Sequence, residues 1–480
     1  MDRERYFALP EQELGGQLPD AAFGFERYEE IPEKYIRELY KNPRVQGSFD
    51  WHEFLVFIDR IRRKKTPKSI DALILPRHHR TINFLPAESL IERMTLLDGR
   101  EVNFHYTTIN SKGGGFVVPE HYDDKKEAIY SDVTPEIAKH KTTDYSWGYD
   151  MLGLMDGRVS WSLVRATNHM QASGARCESI AAVYAIDGIK YEGEWTSIEK
   201  LRSRTDAEGH FVWPRAFKKE ADEIWSTADS KEERNYLTNL APYGRTIGEY
   251  HPVIVIRLQR TPYRIKDFDK EPDAHIRRQI LDHALNVVSW EQKFHDPSFP
   301  GLSAEKIDDI EKYLLLMAEW IGRNLGVLQR NGYFMRYFNS GNVTMAGELV
   351  DLDSLFSVFK KKKTKRGEEY IFDGSGLAGY EGEEAQFHIP KFIYKDIRDA
   401  VLACYKIFTA IKEILPAIGL TSLHRRSMGL KFVDSYASAL NDGEGMARLV
   451  PAIRLVEVVR SLITTRFIDG EKLSRTPIDE

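Results

Sequence analysis

The sequence predicts an α+β protein in which a mainly β region is followed by a mainly helical one. Residues 159–164 alternate between apolar and polar, which is the period of a strand. Residues 180–186, Asp187-Gly188 and Ile189-Lys190-Tyr191 have the pattern of a hairpin with a two-residue turn, and residues 252–256 are a further apolar strand. Four helices are predicted where apolar residues recur every three or four positions, over residues 276–294, 304–328, 394–414 and 445–467.

The composition is that of an ordinary globular protein. The chain has 480 residues, of which 42% are hydrophobic and 29% charged, and its formal net charge is −5. Such a balance gives no reason to expect nucleic acid or an anionic membrane as a general partner. Two cysteines cannot build a disulfide framework, and no uncharged run approaches the roughly 18 residues of a transmembrane helix. We therefore expect a soluble cytoplasmic protein without a membrane partner.

The first 145 residues, rich in charge, proline and aromatics, are predicted to form an extension of mixed structure. Apolar residues on one side of residues 51–63 predict a helix there. The run Lys112-Gly113-Gly114-Gly115 is a weak signal for a phosphate-binding loop. It is followed by an extended segment, residues 116–119, and not by the helix N-terminus that such a loop requires. We interpret the run as a flexible turn.

The segment between Asn339 and Asp353 is the strongest candidate for a chemical site. Asn339-Ser340-Gly341-Asn342 precedes two short apolar strands that turn near Gly347 and end at Asp351-Leu352-Asp353. Because a hairpin brings its ends together, Asn342 and Asp351 can both offer oxygen ligands to a Mg²⁺ ion that also bridges nucleotide phosphates. The spacing equally fits an ordinary surface hairpin whose asparagine caps a turn, so spacing alone leaves both interpretations open.

This segment resembles the selenoprotein O family of kinase-fold enzymes, which transfer AMP from ATP to protein hydroxyls. The corresponding family run is Asn-Thr-Asp-Asn-Met-Ser, a short strand pair and Asp-Tyr-Gly. Upstream, residues 255–258 and 263–268 resemble the family's Val-Leu-Arg-Val and Ile-Arg-Phe-Gly-Ser-Phe, and Arg257 and Arg264 keep the family's spacing of seven. The resemblance lies mainly within residues 250–415.

The resemblance implies a two-lobed protein-kinase-like fold that binds ATP and Mg²⁺. It divides the chain into an N-terminal extension (1–145), a mainly β N-lobe (146–265) and a helical C-lobe (266–480). It implies that Asn342 and Asp351 hold the metal. Arg257 and Arg264 would hold the phosphates of an ATP in flipped orientation, with its α-phosphate at the acceptor. Two guanidinium groups suit a polyphosphate because each donates two parallel hydrogen bonds.

One departure from the family bears directly on activity, because Gly341 stands where the family has its catalytic aspartate. Glycine has no side chain to orient or deprotonate an attacking hydroxyl. Asn339 is expected to shape the catalytic loop, and Asp353 or Glu348 is the candidate replacement for the base. Three functions stay open: an AMP transferase, a pseudokinase that senses nucleotide or acts as a scaffold, and an enzyme with rewired ATP-dependent chemistry such as adenylation and ligation.

The lysine and glutamate that complete the ATP site of a kinase fold have two competing registers. In the first, Ser173-Gly174-Ala175-Arg176 is the glycine-rich turn ahead of the predicted hairpin. Lys190 or Glu192 then falls at the lysine position, and Glu220 or Glu223 lies on the partnering helix. This register makes Lys190 and Glu220 candidates for cofactor binding.

In the second register, residues 154–158 match the family's Leu-Gly-Asp-Gly-Arg. The lysine position then moves close to Gln171-Ala172, and the lysine is absent.

A basic run follows the candidate metal aspartate by about ten residues. It reads Lys360-Lys361-Lys362-Lys363-Thr364-Lys365-Arg366, at the place where kinase folds keep the segment that meets the substrate. The run is either a solvated loop or a contact for the acceptor. In the second case the acceptor is an acidic protein, a nucleic acid such as tRNA, or a phosphorylated substrate.

Overall fold

The protein is α+β, with mainly antiparallel sheets and a set of long helices. The structure is a computed structural model that describes residues 24–47, 50–62, 72–73, 81–86, 89–113, 127–129, 132–133, 155–191, 194–204, 231–240, 251–335, 338–352, 355–357, 359–364, 367–372, 383–441 and 452–469.

The strands are β1 Gly24–Glu30, β2 Ile36–Lys41, β3 Val45–Gln46, β4 Val56–Arg62, β5 Ala72–Leu73, β6 Thr81–Phe84, β7 Leu90–Thr95, β8 Glu101–Tyr106, β9 Thr108–Lys112, β10 Glu127–Ile129, β11 Asp132–Val133, β12 Met155–Asp156, β13 Ser179–Ile186, β14 Gly188–Tyr191, β15 Glu194–Ser197, β16 Pro252–Gln259, β17 Tyr333–Phe334, β18 Phe356–Ser357, β19 Phe359–Thr364 and β20 Gly367–Phe372. The α-helices are α1 Gly157–Ala172, α2 Ile198–Arg202, α3 Lys231–Leu240, α4 Ile265–Lys270, α5 Ala274–His295, α6 Ile307–Arg330, α7 Glu383–Ile414, α8 Ser422–Asn441 and α9 Ala452–Ile463.

A seven-stranded sheet is the centre of the β region. Its main path runs β2-β13-β16-β9-β6-β5, and β12 also pairs with β16. The pairings along this path are antiparallel. The sheet takes strands from both sides of residue 145, so residues of the predicted N-terminal extension share a sheet with residues of the predicted N-lobe.

Strand β16 is buried along its whole length, and its alternate residues face two different cores. Val253 and Val255 pack into the core that contains the long helices, whereas Ile254 and Ile256 pack into a second core beneath the other face of the sheet. Because side chains alternate along a strand, Arg257 lies on the helical face with Val253 and Val255. That face therefore carries the polar site.

The predicted hairpin over residues 180–191 is wrong, although both of its strands exist. β13 pairs with β2 on one side and β16 on the other, so neither of its edges is free for β14. The backbone of Asp187 also bonds elsewhere: its N–H donates to Tyr35 O and its carbonyl accepts from Ile198 N. β14 instead pairs with β15 and β11 in a separate sheet.

Two further predictions from the first half of the chain are wrong. Residues 159–164 lie in helix α1, where buried Ser160, Leu163, Val164 and Thr167 show the three-to-four spacing that a six-residue window hides. The helix predicted over residues 51–63 is instead a 3-10 helix, Trp51–Phe54, followed by strand β4, Val56–Arg62, which pairs with both β1 and β10; residue 63 lies outside the described residues. The local apolar pattern fits either a helix or a strand, and the pairing of β4 on both of its edges favours the strand.

The helical half agrees with the sequence-based prediction. The four predicted segments correspond to α5, α6, α7 and α9, and a π-helix, Thr464–Asp469, extends the last of these. Residues 445–451 of the last predicted segment lie outside the described residues. Helix α8 was not predicted; it packs on α6, where a side chain on Gly322 would come within 2.5 Å of Phe432 O. Within the described residues, no helix is both long and apolar enough to cross a membrane.

Candidate functional site

The candidate metal segment folds as the predicted hairpin. Val343 and Leu349 form an antiparallel bridge, and Val350 N donates to Asn342 O over 3.1 Å. The turn needs Gly347, whose φ is +71° and whose missing Cβ would lie 2.7 Å from the Trp320 ring. Asn342 and Asp351 are thereby brought to the same end of the hairpin.

Helix α6 and the loop before β13 fix the position of this hairpin. Asn324 Nδ2 donates to Gly347 O and to Arg176 O, and Asn324 Oδ1 accepts from Arg176 N. Tyr313 donates its hydroxyl to Met345 O over 2.7 Å. The hairpin is therefore held from both sides by side-chain bonds to its backbone carbonyls and to the adjoining loop.

Asp351 has an unusual backbone conformation. Its φ is +58°, and among the described residues it is the one non-glycine with a positive φ. Aspartate tolerates the left-handed region better than most residues. Asp351 N donates to Glu178 Oε1 over 2.8 Å, a bond from outside the hairpin that holds this conformation. Such a conformation at a site of buried charge is typical of functional positions.

Three cationic side chains converge on the Asp351 carboxylate. Arg257 Nη1 lies 2.5 Å and Lys112 Nζ 3.2 Å from Oδ1, while Arg264 Nη1 lies 2.6 Å from Oδ2. The cations come from β16, β9 and the start of α4. The sheet and the hairpin thus meet at one carboxylate.

Arg257 is fully buried and is held by further partners. Its Nε and Nη2 both donate to Asn110 Oδ1, over 2.8 and 2.6 Å, and its Nη1 lies 3.2 Å from Glu178 Oε2. Asn110 and Arg257 are direct partners in the β9–β16 register, so both side chains emerge on the same face. This fixes the guanidinium group in place before any ligand arrives.

Burial and the neighbouring charges shift the pKa values of Asp351 and Glu178 in opposite directions. Burial alone would raise the pKa of Asp351, but the charges of Arg264, Lys112 and Arg257 hold that pKa well below its usual range. Burial raises the pKa of Glu178, and this effect outweighs the opposing charge of Arg257. Asp351 is therefore a carboxylate at neutral pH, as a metal ligand must be.

Asn342 Oδ1 and Asp351 Oδ2 lie close enough together to contact one cationic group. Both face the same nitrogen, Arg264 Nη1, at 3.4 and 2.6 Å. Among the described residues no group of three or more His, Cys, Asp or Glu side chains could hold a metal. A metal here would thus have two protein ligands and complete its shell with phosphate oxygens and water, as Mg²⁺ commonly does.

The loop ahead of Asn342 is ordered by its own side chains. Asn339 Oδ1 accepts from Gly341 N over 2.7 Å, and Arg264 Nη1 donates to Gly341 O over 2.6 Å. A Cβ on Gly341 would lie 2.9 Å from Asn339 Oδ1 and 3.4 Å from Lys266 Cδ. The Asn339 side chain thus orders the backbone of this loop, and its amide oxygen borders the space that a side chain at 341 would enter.

Four of the predicted site residues meet in one place: Arg257, Arg264, Asn342 and Asp351. Lys190 lies on β14, in a different sheet from Arg257, and the structure does not bring its backbone into the main sheet. Asp353, Glu220 and Glu223 lie outside the described residues.

Glu348 is not available as a base. Its side chain is fully buried, with Oε1 2.8 Å from Arg260 Nη1 and Oε2 accepting from Arg260 N.

Sequence reasoning missed Lys112, Asn110 and Glu178. The available signal was the lysine at the head of the glycine run, a run whose pattern predicts a flexible turn. Lys112 instead ends strand β9, and Gly113 follows with a φ of +116° and room for no side chain, since a Cβ would lie 3.0 Å from Ile254 and 3.2 Å from Val253 O. Close packing against β16 therefore explains at least the first glycine of the run.

A buried carboxyl group anchors the chain just before this loop. Asp396, on α7, accepts from Met335 N through Oδ2 over 2.8 Å. Burial raises the pKa of Asp396 to about 7, with smaller and opposing effects from Lys395 and Asp399.

We expect Asp396→Asn to remove a pH dependence of stability. A folded pKa of about 7, above the ordinary 3.8, gives a contribution to stability that is complete below pH 3.8 and lost as the pH rises through 7. Wild type should therefore lose stability between pH 5 and 8 relative to the variant, by up to about 1.4 kcal/mol per pH unit. Urea unfolding at several pH values measures this, and parallel curves for the two proteins would contradict it.

Comparisons of the chain with protein-family models and with curated proteins found no match.

Proposed function

We propose that the protein binds ATP and Mg²⁺ at Asp351 and transfers AMP to an acceptor, in a kinase-like fold whose N-lobe is the β region and whose C-lobe is the helical region. The observation that carries this proposal is the convergence of Lys112, Arg257 and Arg264 on the carboxylate of Asp351. Three buried cations against a metal-binding carboxylate suit a polyphosphate with its ion.

The arrangement assigns a task to each group. Arg264 and Lys112, whose side chains reach the surface of the site, bind phosphate oxygens. Arg257 is fully buried and bonded to Asn110 and Asp351, so it adds positive charge and holds Asp351 without the phosphate contact that the sequence predicted for it. Mg²⁺, when bound by Asn342 and Asp351, neutralises charge on the phosphates. In the transfer, an acceptor oxygen forms a bond to the α-phosphorus while the bond from that phosphorus to the bridging oxygen breaks, and pyrophosphate leaves with the electron pair.

The experiment that tests this proposal uses ATP labelled separately at the α- and γ-phosphates. The purified protein is incubated with Mg²⁺ and each form of ATP, alone and with cell lysate. Label retained from the α-phosphate alone supports AMP transfer. Label from the γ-phosphate would indicate phosphoryl transfer and contradict the flipped orientation. ATP binding without transfer of either label would favour the second candidate.

That second candidate is a nucleotide sensor without catalysis, and Gly341 favours it. At this position the backbone N–H and carbonyl are bonded to Asn339 and Arg264, and no side chain can accept a proton from an acceptor hydroxyl. An acceptor that is already an anion needs no such base, so Gly341 is compatible with transfer to a carboxylate as well.

Gly341→Asp is expected to distinguish these candidates. The φ of Gly341 is not in the left-handed region, so the backbone admits a side chain, but its Cβ would displace the Asn339 amide, now 2.9 Å away. If the site is a sensor that lacks only its base, the aspartate variant should gain α-label transfer. If the site acts on an anionic acceptor, the variant should lose transfer by about tenfold or more, because the new charge repels the acceptor.

Gly341→Ala serves as the control for Gly341→Asp, since it makes the same steric demand without the charge. Equal transfer by the aspartate and alanine variants would show that charge at position 341 has no role in either candidate function.

A further inference from the structure

Two lysines border the space beside Gly341, and each is joined to the loop by a contact with Ser340. Lys406, on α7, donates from Nζ to Ser340 Oγ over 2.9 Å. Lys266, in the first turn of α4, donates its backbone N–H to Ser340 O over 2.8 Å, and its Cδ would lie 3.4 Å from a Cβ on Gly341. Positive side chains therefore lie next to the position at which the resembled family has its catalytic aspartate.

One carboxylate is shared by two lysines at this place. Asp269 Oδ2 lies 3.8 Å from Lys406 Nζ and 3.6 Å from Lys270 Nζ, and both distances are longer than a hydrogen bond. An ammonium group has three donors, and Ser340 takes one of those of Lys406. Because the Lys406 side chain is also 36% exposed, it keeps donors for a negatively charged ligand.

The carboxylates that the structure describes around this loop are poorly placed to act as a base. Asp351 contacts three cations, Glu348 is buried in an ion pair, and Asp269 lies between two lysines. A hydroxyl acceptor must lose a proton during the transfer, whereas a carboxylate is already an anion at neutral pH. The surroundings of Gly341 thus favour an anionic acceptor over a hydroxyl group.

We propose that the acceptor is a carboxylate group, which Lys266 and Lys406 hold beside Gly341, and that the product is an acyl adenylate. The proposal rests on the function proposed above, because it names the acceptor of the same site. A carboxylate oxygen forms the bond to the α-phosphorus of ATP while the bond from that phosphorus to the bridging oxygen breaks, and pyrophosphate leaves with the electron pair. No proton is transferred, so the step needs no base.

A carboxylate suits this place better than a phosphate acceptor does. A phosphate monoester carries a charge of about −1.5 to −2 at neutral pH, and it would enter a site that already takes the negative charge of ATP. A carboxylate carries a single negative charge, which one charge-assisted hydrogen bond from Lys406 balances.

The basic run at residues 360–366 has no part in this proposal. The structure describes the backbone of residues 360–364, which lie in strand β19 and pair with β20. The side chains of the run, and residues 365–366 altogether, lie outside what the structure describes. A contact between the run and the acceptor therefore stays a prediction from the sequence.

The chemical bond that holds the transferred label tests the proposal. The full-length protein is incubated with Mg²⁺, α-labelled ATP and cell lysate, and the labelled products are treated with neutral hydroxylamine, with mild acid or with neither. Hydroxylamine cleaves the anhydride between a carboxylate and AMP. AMP esters of hydroxyl groups resist both treatments, and AMP on a lysine amine is released by the acid alone. We expect hydroxylamine to release most of the label.

Label that resists hydroxylamine would overturn the proposal. Release by acid alone would indicate an amine acceptor, and resistance to both treatments would indicate a hydroxyl or phosphate acceptor. Absence of α-label from every product would instead contradict the proposed transferase itself, and the carboxylate acceptor would fall with it. The two failures therefore have different readouts.

The two lysines are tested by Lys266→Met and Lys406→Met, which keep an unbranched side chain and remove its charge. Each variant is expected to lower hydroxylamine-labile transfer by about tenfold at limiting lysate and to leave ATP affinity within about twofold of wild type, because the lost contact is to the acceptor. Lys406→Arg should recover part of the transfer, since it keeps the positive charge, which a merely structural role for the lysine would not predict.

Lys395→Met is the matched control. Lys395 lies on the same helix as Lys406, its side chain is 35% exposed, and it pairs with the carboxylate of Asp399 over 3.4 Å. Its removal should leave transfer within about twofold of wild type, as expected for an exposed ion pair. Wild-type transfer by both Lys266→Met and Lys406→Met, or an equal loss in the control, would overturn the assignment of the two lysines.

Discussion

Asp351→Asn is expected to lower AMP transfer by about a hundredfold or more while the protein remains folded. Asparagine keeps the shape of the side chain and tolerates the φ of +58° at this position. It loses the charge that balances Lys112, Arg257 and Arg264 and that would bind Mg²⁺ in the proposed function. Removal of one preorganised electrostatic contact typically costs about 10²- to 10³-fold in rate, and the loss of the metal should cost at least as much.

Asparagine is a better variant here than alanine. Alanine at a positive φ is strained by about 1 kcal/mol or more, and it leaves three cations without their shared partner. We therefore expect Asp351→Ala to lose stability as well as activity.

The readouts are α-label transfer, ATP binding with and without Mg²⁺, and denaturant unfolding. We expect Asp351→Asn to bind ATP without Mg²⁺ at least as well as wild type, because a negative charge beside the phosphates is gone, and to lose the benefit of added Mg²⁺. Transfer at the wild-type rate would contradict the assignment of Asp351 as a metal ligand.

Arg260→Ala is expected to destabilise the protein by about 3–5 kcal/mol, because it leaves two buried carboxylates without their main partner. Arg260 Nε lies 2.8 Å from Glu291 Oε1, and its Nη1 lies 2.8 Å from Glu348 Oε1. Arg176 completes the cluster through a bidentate contact with Glu291. The cluster joins the end of β16, the hairpin and α5, next to the candidate site.

Denaturant unfolding measures this loss, with Arg278→Ala as the matched control. Arg278 also contacts two carboxylates, those of Asp282 and Glu305, but it lies at the surface, where such pairs contribute about 0–1 kcal/mol. A loss of less than about 1 kcal/mol for Arg260→Ala would contradict a stabilising role for the cluster.

The same cluster predicts an acid limit of stability. Burial would raise the pKa of Glu291, but the charges of Arg176 and Arg260 lower it to about 2. Because the folded pKa lies below the ordinary 4.5, this contribution to stability is complete above pH 4.5 and is lost as the pH falls toward 2. The difference in unfolding free energy between wild type and Arg260→Ala should shrink over this range.

The local part of the candidate site could be predicted from the sequence. Asn342 and Asp351 are nine residues apart, and the turn at Gly347 is encoded within that segment, so their proximity follows from local geometry. The spacing of seven positions between Arg257 and Arg264 is also evident from the sequence. The contact of these arginines with Asp351 depends on how β16 and the start of α4 pack against the hairpin, and no local pattern encodes it.

Lys112, Asn110 and Glu178 could not be predicted, because each reaches the site through a strand or loop distant in the chain. Asn110 meets Arg257 through the β9–β16 register, and Glu178 meets Asp351 through the parallel bridge between Cys177 and Leu349. Strand pairing of this kind is decided by the whole sheet. The same cause explains why the hairpin predicted over residues 180–191 was wrong.

By itself the sequence determined the α+β class, the long amphipathic helices and the hairpin that ends at Asp351. These features depend on periodicity and turn chemistry within one segment. Only the tertiary structure decided that β13 lies between β2 and β16, that the first 145 residues contribute strands to the same sheet, and that Lys112 meets Asp351 across 239 positions. The physical reason is that buried charges need partners, and which partners they find depends on contacts between segments that no single stretch of sequence contains.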